Sequence, residues 1–242
     1  MKTEHKIKKL EHKIKNLEEK IKKMENVTVG KSIITNIFSW LAIFIAVFCI
    51  APNNYGKGIL TFFILFFNSY YLHTENHKYT TLFTIAHTYH HENDNFFSHG
   101  IQYFIELGLP FIFLIIYYLF GTIFLDKWVI LFSALFYSTI HNINYGYFKV
   151  NNVHSLHHKY PMTNFGPDIC DIMFGTKHPD NTEVENTNHY IPNIIIITMC
   201  ILLLKRMCLN ETFNTLFVKY YTYFLASCFI IYMGFSCFLY LL

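Results

Sequence analysis

The stretch GILTFFILFFNSYYLHTENHKYTTLFTIAHTYHH, Gly58 to His91, decides how the rest of the chain is read. From Gly58 to Leu72 it is uncharged and rich in Phe, Ile and Leu; the histidines then begin, His73 and His77 first, then His87, His90 and His91. Positions i and i+3 or i+4 share one face of a helix, so each group can aim its imidazoles at one point. The apolar part is short for a bilayer crossing, which takes about 20 residues. A helix that leaves the bilayer and continues into a polar cap has this composition, because only its membrane part must be apolar.

The same join recurs downstream. Trp128 to Ile140 is apolar and ends at His141, and His154, His157 and His158 repeat the H-x-x-H-H spacing. Ser32 to Ala51, Leu107 to Leu125 and Tyr220 to Leu242 are uncharged and long enough to span, whereas Ile191 to Leu204 is shorter and is expected to cross, re-enter or lie along the interface. The whole chain of 242 residues is 53% hydrophobic and 14% charged, too apolar for an ordinary soluble domain. The expected fold is all-α, a multi-span transmembrane helical bundle with a cytosolic histidine-rich cap and an N-terminal coiled-coil helix.

Ten of the 19 basic residues precede Ser32. Under the positive-inside rule they hold the N-terminus in the cytosol. Two crossings return the chain there at His73 and two more at His141, so all the histidine groups share one compartment. Lys205, Arg206 and Lys219 then fall on the far side, against the rule, near the sequon Asn210-Glu211-Thr212. No cleavable secretory signal is expected, since the first 31 residues lack an apolar core. Residues 1–29 read as a separate module and 30–242 as the membrane-embedded domain. In the module Ile7, Leu10, Ile14, Leu17, Ile21 and Met24 take positions a and d of a heptad, with Lys6, Lys13 and Lys20 at g and Glu11, Glu18 and Glu25 at e. Either a parallel homodimer or a single solvated charged helix fits that pattern. No nucleic-acid partner is expected. The six cysteines form no C-x-x-C pair and read as small buried hydrophobes.

Nine histidines therefore need an explanation together: His73, His77, His87, His90, His91, His141, His154, His157 and His158. Packed without a metal they would repel when protonated and need a partner for every ring nitrogen when neutral. Coordination removes both costs, because a neutral imidazole donates one lone pair while its other nitrogen bonds an acceptor behind it. Imidazole alone does not choose among Zn, Cu, Fe and Ni. A lone zinc would use three or four ligands, whereas two metals would use all nine, and two redox metals at a membrane surface point to dioxygen chemistry on a lipid C–H bond.

His73-x3-His77, His87-Thr88-Tyr89-His90-His91 and His154-Ser155-Leu156-His157-His158, followed by Asn164-Phe165-Gly166 and Asp171-Ile172-Met173-Phe174-Gly175-Thr176, resemble the fatty acid hydroxylase and sterol desaturase superfamily over roughly residues 58 to 180. The resemblance implies a membrane enzyme of endoplasmic-reticulum type with two histidine-held Fe ions, dioxygen as oxidant, and a reductase and small haem cytochrome as electron donors. The substrate would be a fatty acyl chain, sphingolipid or sterol, hydroxylated or desaturated. His141 resembles the extra histidine many members carry before their last box. The His-Pro pair that many members place before an acidic residue has no counterpart in Gln102-Tyr103-Phe104-Ile105-Glu106, and His99 nearby is read as interfacial.

Glu75, Glu92, Asp94, Asp168 and Asp171 lie near the boxes and could orient ligand rings, with a solvated face preferred for Glu75 and Asp94. Asn164 and Asp171, in the family tail, are the favoured candidates for that role. His5, His12, His178 and His189 lack ligand spacing and are left out. The rival from another class is a non-enzymatic metal-binding or transport protein, which expects ionisable residues inside the long spans. A catalytically inert relative anchored through its arm is a third possibility.

Overall fold

The computed structural model of the chain describes residues 2–82, 84–93, 95–120 and 124–241, without the side chains of 2–4, 107–112 and 120. Asp94 and residues 121–123 of the third apolar segment lie outside the described residues. The described residues form helices and loops and no strand: α1 Lys2–Glu25, α2 Val29–Thr35, α3 Ile37–Ile50, α4 Tyr55–Lys78, α5 Ile85–Glu92, α6 Phe96–Phe120 and α7 Lys127–Thr139. A π-helix, Ile140–Tyr147, continues α7, and α8 Val153–Lys159, α9 Asp168–Phe174, α10 Ile191–Met207 and α11 Glu211–Leu241 follow.

Helices α3, α4, α6, α7, α10 and α11 make the bundle. Two ends can be told apart by their contacts. At one end Asn36, between α2 and α3, reaches the loop before α10, its amide donating to the Glu185 carbonyl at 2.9 Å and its oxygen accepting from Thr187 N at 2.8 Å. At the other end Lys205 donates to the Ile50 carbonyl, and Asp126 N donates to Thr61 Oγ1 at 2.9 Å. Between them Val47, Ile50, Phe62, Val129, Phe132 and Ile194 are buried in one apolar cluster. Gly58 permits the tightest approach, since a Cβ there would stand 3.0 Å from both Ala51 Cβ and Val47 Cγ1.

Among the described residues two stretches, Asn188–Met207 and Glu211–Leu241, are long and apolar enough to cross a membrane. The pair α2 and α3 makes a third if it is counted as one span bent by 72°. The segment expected only as Ile191 to Leu204 thus gains a preceding 3₁₀ turn and a last turn carrying Lys205 and Arg206, which brings it to crossing length. The α4 helix runs unbroken from Tyr55 through His73 and His77, so the apolar run and the first histidines share one helix, although α4 is not among the helices apolar enough to count as a crossing. The cysteines are all free, but only Cys170 and Cys228 are buried. Cys49, Cys200 and Cys237 instead sit on outward helix faces, because an apolar surface suits a bilayer as well as a core does.

Candidate metal centre

Three short pieces of helix bring the imidazoles together: the last turns of α4, all of α5, and α8. The break after α7 supplies His141. Asp126 caps α7, accepting from Trp128 N at 2.9 Å and Val129 N at 3.1 Å, and so sets where that helix starts. At its far end the switch to π geometry widens the turn where His141 sits, a distortion that recurs at functional sites.

The nine histidines form one cluster with two foci. Around the first, the Nε2 atom of His77 lies 3.3 Å from that of His73, 3.0 Å from that of His87 and 3.1 Å from that of His157. His73 and His157 are themselves 3.0 Å apart at Nε2, and His91 adds a ring nitrogen within 4.8 Å of those of His73, His77 and His87. The second focus groups His90, His141 and His154, with His158 Nε2 2.9 Å from that of His154. The His91 and His158 rings stack at 4.2 Å and join the two. All nine residues picked out by spacing are therefore brought together. His99, read as interfacial, has its ring 5.0 Å from that of His90, at the edge of the second focus.

The partners behind the rings fix their tautomers. His73 Nδ1 donates to the Phe165 carbonyl at 2.6 Å, and His157 Nδ1 to the Thr163 carbonyl at 2.7 Å. His87 Nδ1 donates to Gln102 Oε1 at 3.3 Å, and His141 Nδ1 to Glu106 Oε1. A neutral ring whose proton is on Nδ1 presents a bare lone pair at Nε2. Lone pairs of His73, His87 and His157 thus converge on one spot, where His77 can offer at most a single proton. Lone pairs packed this closely are repulsive unless a cation lies among them. A cation held about 2.0–2.1 Å from each imidazole nitrogen separates adjacent ligands by roughly 3.0–3.4 Å, the spacing found here.

Orphaned atoms point the same way. His90 Nδ1, His141 Nε2 and both ring nitrogens of His91 are buried with no hydrogen-bond partner. Burial, reinforced by neighbouring imidazoles, lowers His87 to about 3 and His90 to about 2, so these rings are neutral at physiological pH, the form that can ligate. The residues present fit two bound metal ions. The donor set does not say which metal.

Two residues that matter here were not picked out by the sequence. Glu106, buried in α6, accepts from His141 Nδ1, from Asn142 Nδ2 and, at 2.9 Å, from Gln102 Nε2. Gln102 in turn accepts from His87, so a hydrogen-bonded chain, His87 to Gln102 to Glu106 to His141, connects one focus to the other. The signal was available: Glu106 is the one charged residue between Asp94 and Asp126, four positions from Gln102 and so on its helix face.

The favoured tail residues work at one remove. Asp171 accepts from Phe165 N at 2.9 Å, Gly166 N at 2.8 Å and Thr176 Oγ1 at 2.6 Å. It thereby holds the loop whose Phe165 carbonyl orients His73, without touching an imidazole. Burial, opposed by these bonds, raises its carboxyl to about 6. Asn164, at φ 53°, accepts from His178 N at 2.9 Å and leaves its buried Nδ2 unpartnered. Asp168 is a strut, paired with Lys177 and accepting from Glu185 N at 3.0 Å, and Glu75 pairs with Lys78 on the exposed side.

From both foci a cavity of about 180 Å³ runs between the helices. His73, His87, His141 and His154 line its inner end; Phe62, Phe66, Phe113, Ile130 and Phe136 line its apolar length.

Neither the comparison with curated proteins nor that with solved structures gives a match. The family model described as fatty acid hydroxylase matches residues 58–176, a stretch that begins at the glycine packed against α3 and holds every one of the nine histidines. On that match and on the order of its histidine groups, residues 58–176 are similar to the fatty acid hydroxylase family.

Proposed function

We propose that the protein is a membrane-bound oxidoreductase that uses dioxygen at two histidine-held iron ions to hydroxylate or desaturate a lipid chain. One observation carries the proposal: the converging Nε2 lone pairs stand at the inner end of an apolar cavity. Bound iron would supply the electron transfer and dioxygen activation that an unactivated C–H bond requires, which zinc would not. The residues of the chain do the rest. Phe62, Phe66 and Phe136 hold an apolar chain beside the histidines and keep bulk water out. The carbonyls of Thr163 and Phe165, with Gln102 and Glu106, fix the ring orientations.

The family implies electron delivery by a reductase and a small haem cytochrome. The family resemblance implies an endoplasmic-reticulum-type membrane, and the lysine-rich N-terminus supports a cytosolic cap on it. Residues 30–242 form the catalytic unit in this proposal, and 1–29 an appended arm. Glu106 is an ionisable group inside a helix, as a transport route would require. Its three donors tie it to the histidines, so it belongs to a closed site and not to a row of charges along a pore.

The test is a lipidomic comparison of cells expressing the wild type with cells expressing His90→Ala, His157→Ala. One lipid class should gain one oxygen or lose two hydrogens only with the wild type. Purified protein that holds zinc, and stays inert with lipid, dioxygen and reductant after iron loading, would overturn the proposal.

A further inference from the structure

The α1 helix carries an apolar stripe that nothing among the described residues covers. Ile7, Leu10, Ile14, Leu17 and Ile21 are 50–60% exposed, one above the other along Lys2–Glu25. Five large aliphatic side chains in line on one face are costly to leave in water. Two occupants could cover them, a bilayer surface or another helix, and the flanks of the stripe decide between these.

One flank, position g, is Lys6, Lys13 and Lys20; the other, position e, is Glu11, Glu18 and Glu25. A helix lying on an anionic membrane places cations along both edges of its apolar face. Here one whole edge is acidic and would face the head groups. Against a second copy the same pattern is complementary. In a parallel pair each g residue meets the e residue five positions on in the partner, so Lys6 meets Glu11, Lys13 meets Glu18 and Lys20 meets Glu25 of the other copy. In an antiparallel pair g would meet g and e would meet e, setting lysine on lysine and glutamate on glutamate. The core positions add the strand number, since β-branched Ile at a (7, 14 and 21) with Leu at d (10 and 17) favours two parallel strands.

We infer that α1 is a parallel two-stranded coiled coil with a second copy of this chain, making the membrane protein a homodimer. The orientation suits the topology. Parallel helices deliver both chains to α2 at the same end, so both bundles enter one membrane side by side. Fewer than four heptads pair weakly in free solution. Confinement of both copies to one bilayer raises their effective concentration and offsets that weakness. Lys20 already pairs with Asp180 of its own cap, which anchors the arm and leaves Lys6 and Lys13 as the selective contacts.

The test uses the full-length protein in nanodiscs or mild detergent, with two differently tagged copies co-expressed. Wild-type copies should co-purify with the mass of two chains, and Leu17→Cys should cross-link on oxidation whereas His12→Cys, on the outer face, should not. Lys6→Glu with Lys13→Glu should abolish co-purification with itself, as should Glu11→Lys with Glu18→Lys. The two variants expressed together should restore it. A monomeric wild type, a three-chain mass, or a dimer indifferent to both reversals would overturn the inference. Rescue by the mixed pair excludes misfolding as the cause of any loss.

Discussion

Replacing Glu106 by Gln tests the link between the two histidine foci. The buried carboxylate accepts three hydrogen bonds, His141 Nδ1 and Gln102 Nε2 at one oxygen and Asn142 Nδ2 at the other. A glutamine has one oxygen for these donors. If that oxygen stays with His141 and Gln102, the new NH2 faces the Asn142 amide, which can turn over only by giving up its 2.9 Å bond to the Ser138 carbonyl. If the oxygen turns to Asn142, two donors are left facing a third. Either way at least one buried donor loses its acceptor, at about 1–3 kcal/mol, and the bond to His141 loses its charge assistance. Removing the partner behind a ligating ring typically weakens metal binding about 10–100-fold, or roughly 1.4–2.7 kcal/mol, the same range. The cost should fall on His90, His141 and His154 first. Metal titration followed by elemental analysis should therefore find two ions per wild-type chain and, at limiting metal, one in Glu106→Gln, with helical content unchanged. Two tightly held ions in the variant, or both lost together, would refute the argument.

Asp171→Asn should act on the other focus: an amide facing the Gly166 N–H cannot hold the Phe165 loop, and the ion near His73 should bind more weakly while that near His141 is spared, again read by stoichiometry. Gly58→Ala should lower stability by about 1–3 kcal/mol in thermal unfolding, since its Cβ would press on Ala51 and Val47, whereas Gly56→Ala, with open space around it, should be neutral or slightly stabilising. Glu185, raised to about 7 chiefly by burial, binds a proton more tightly folded than unfolded. Its contribution to stability is thus full below about 4.5 and is lost as pH rises through about 7; Glu185→Gln should flatten the thermal-unfolding profile across that window.

The histidines were legible because coordination imposes a spacing that apolar packing has no reason to imitate. His73 and His77 lie near the end of the helix that carries the apolar run from Gly58, so helix and site could be read from one stretch. The partners behind the rings were less legible. Thr163 and Phe165 serve through their carbonyls, and a backbone oxygen leaves no mark on residue type. Glu106 did leave a mark, as the lone charge between Asp94 and Asp126, but without the His-Pro pair that usually precedes such an acid in the resembling family. Asp171 was found by resemblance, and its job, holding a loop that holds a ring, needed coordinates. The crossing length of Asn188–Met207 was hidden because Lys205 and Arg206 end the apolar run before the helix ends.

The π-helix from Ile140 to Tyr147 makes chain length itself a specification of the site. A wider turn houses a residue that an α-helix would not, and each residue of an α-helix is worth about 100° of rotation. Deleting one residue after His141 would let the stretch relax toward that α spacing, changing the backbone around His141 and shortening the path to α8 without altering a single ligand. In this stretch, counting residues matters as much as naming them.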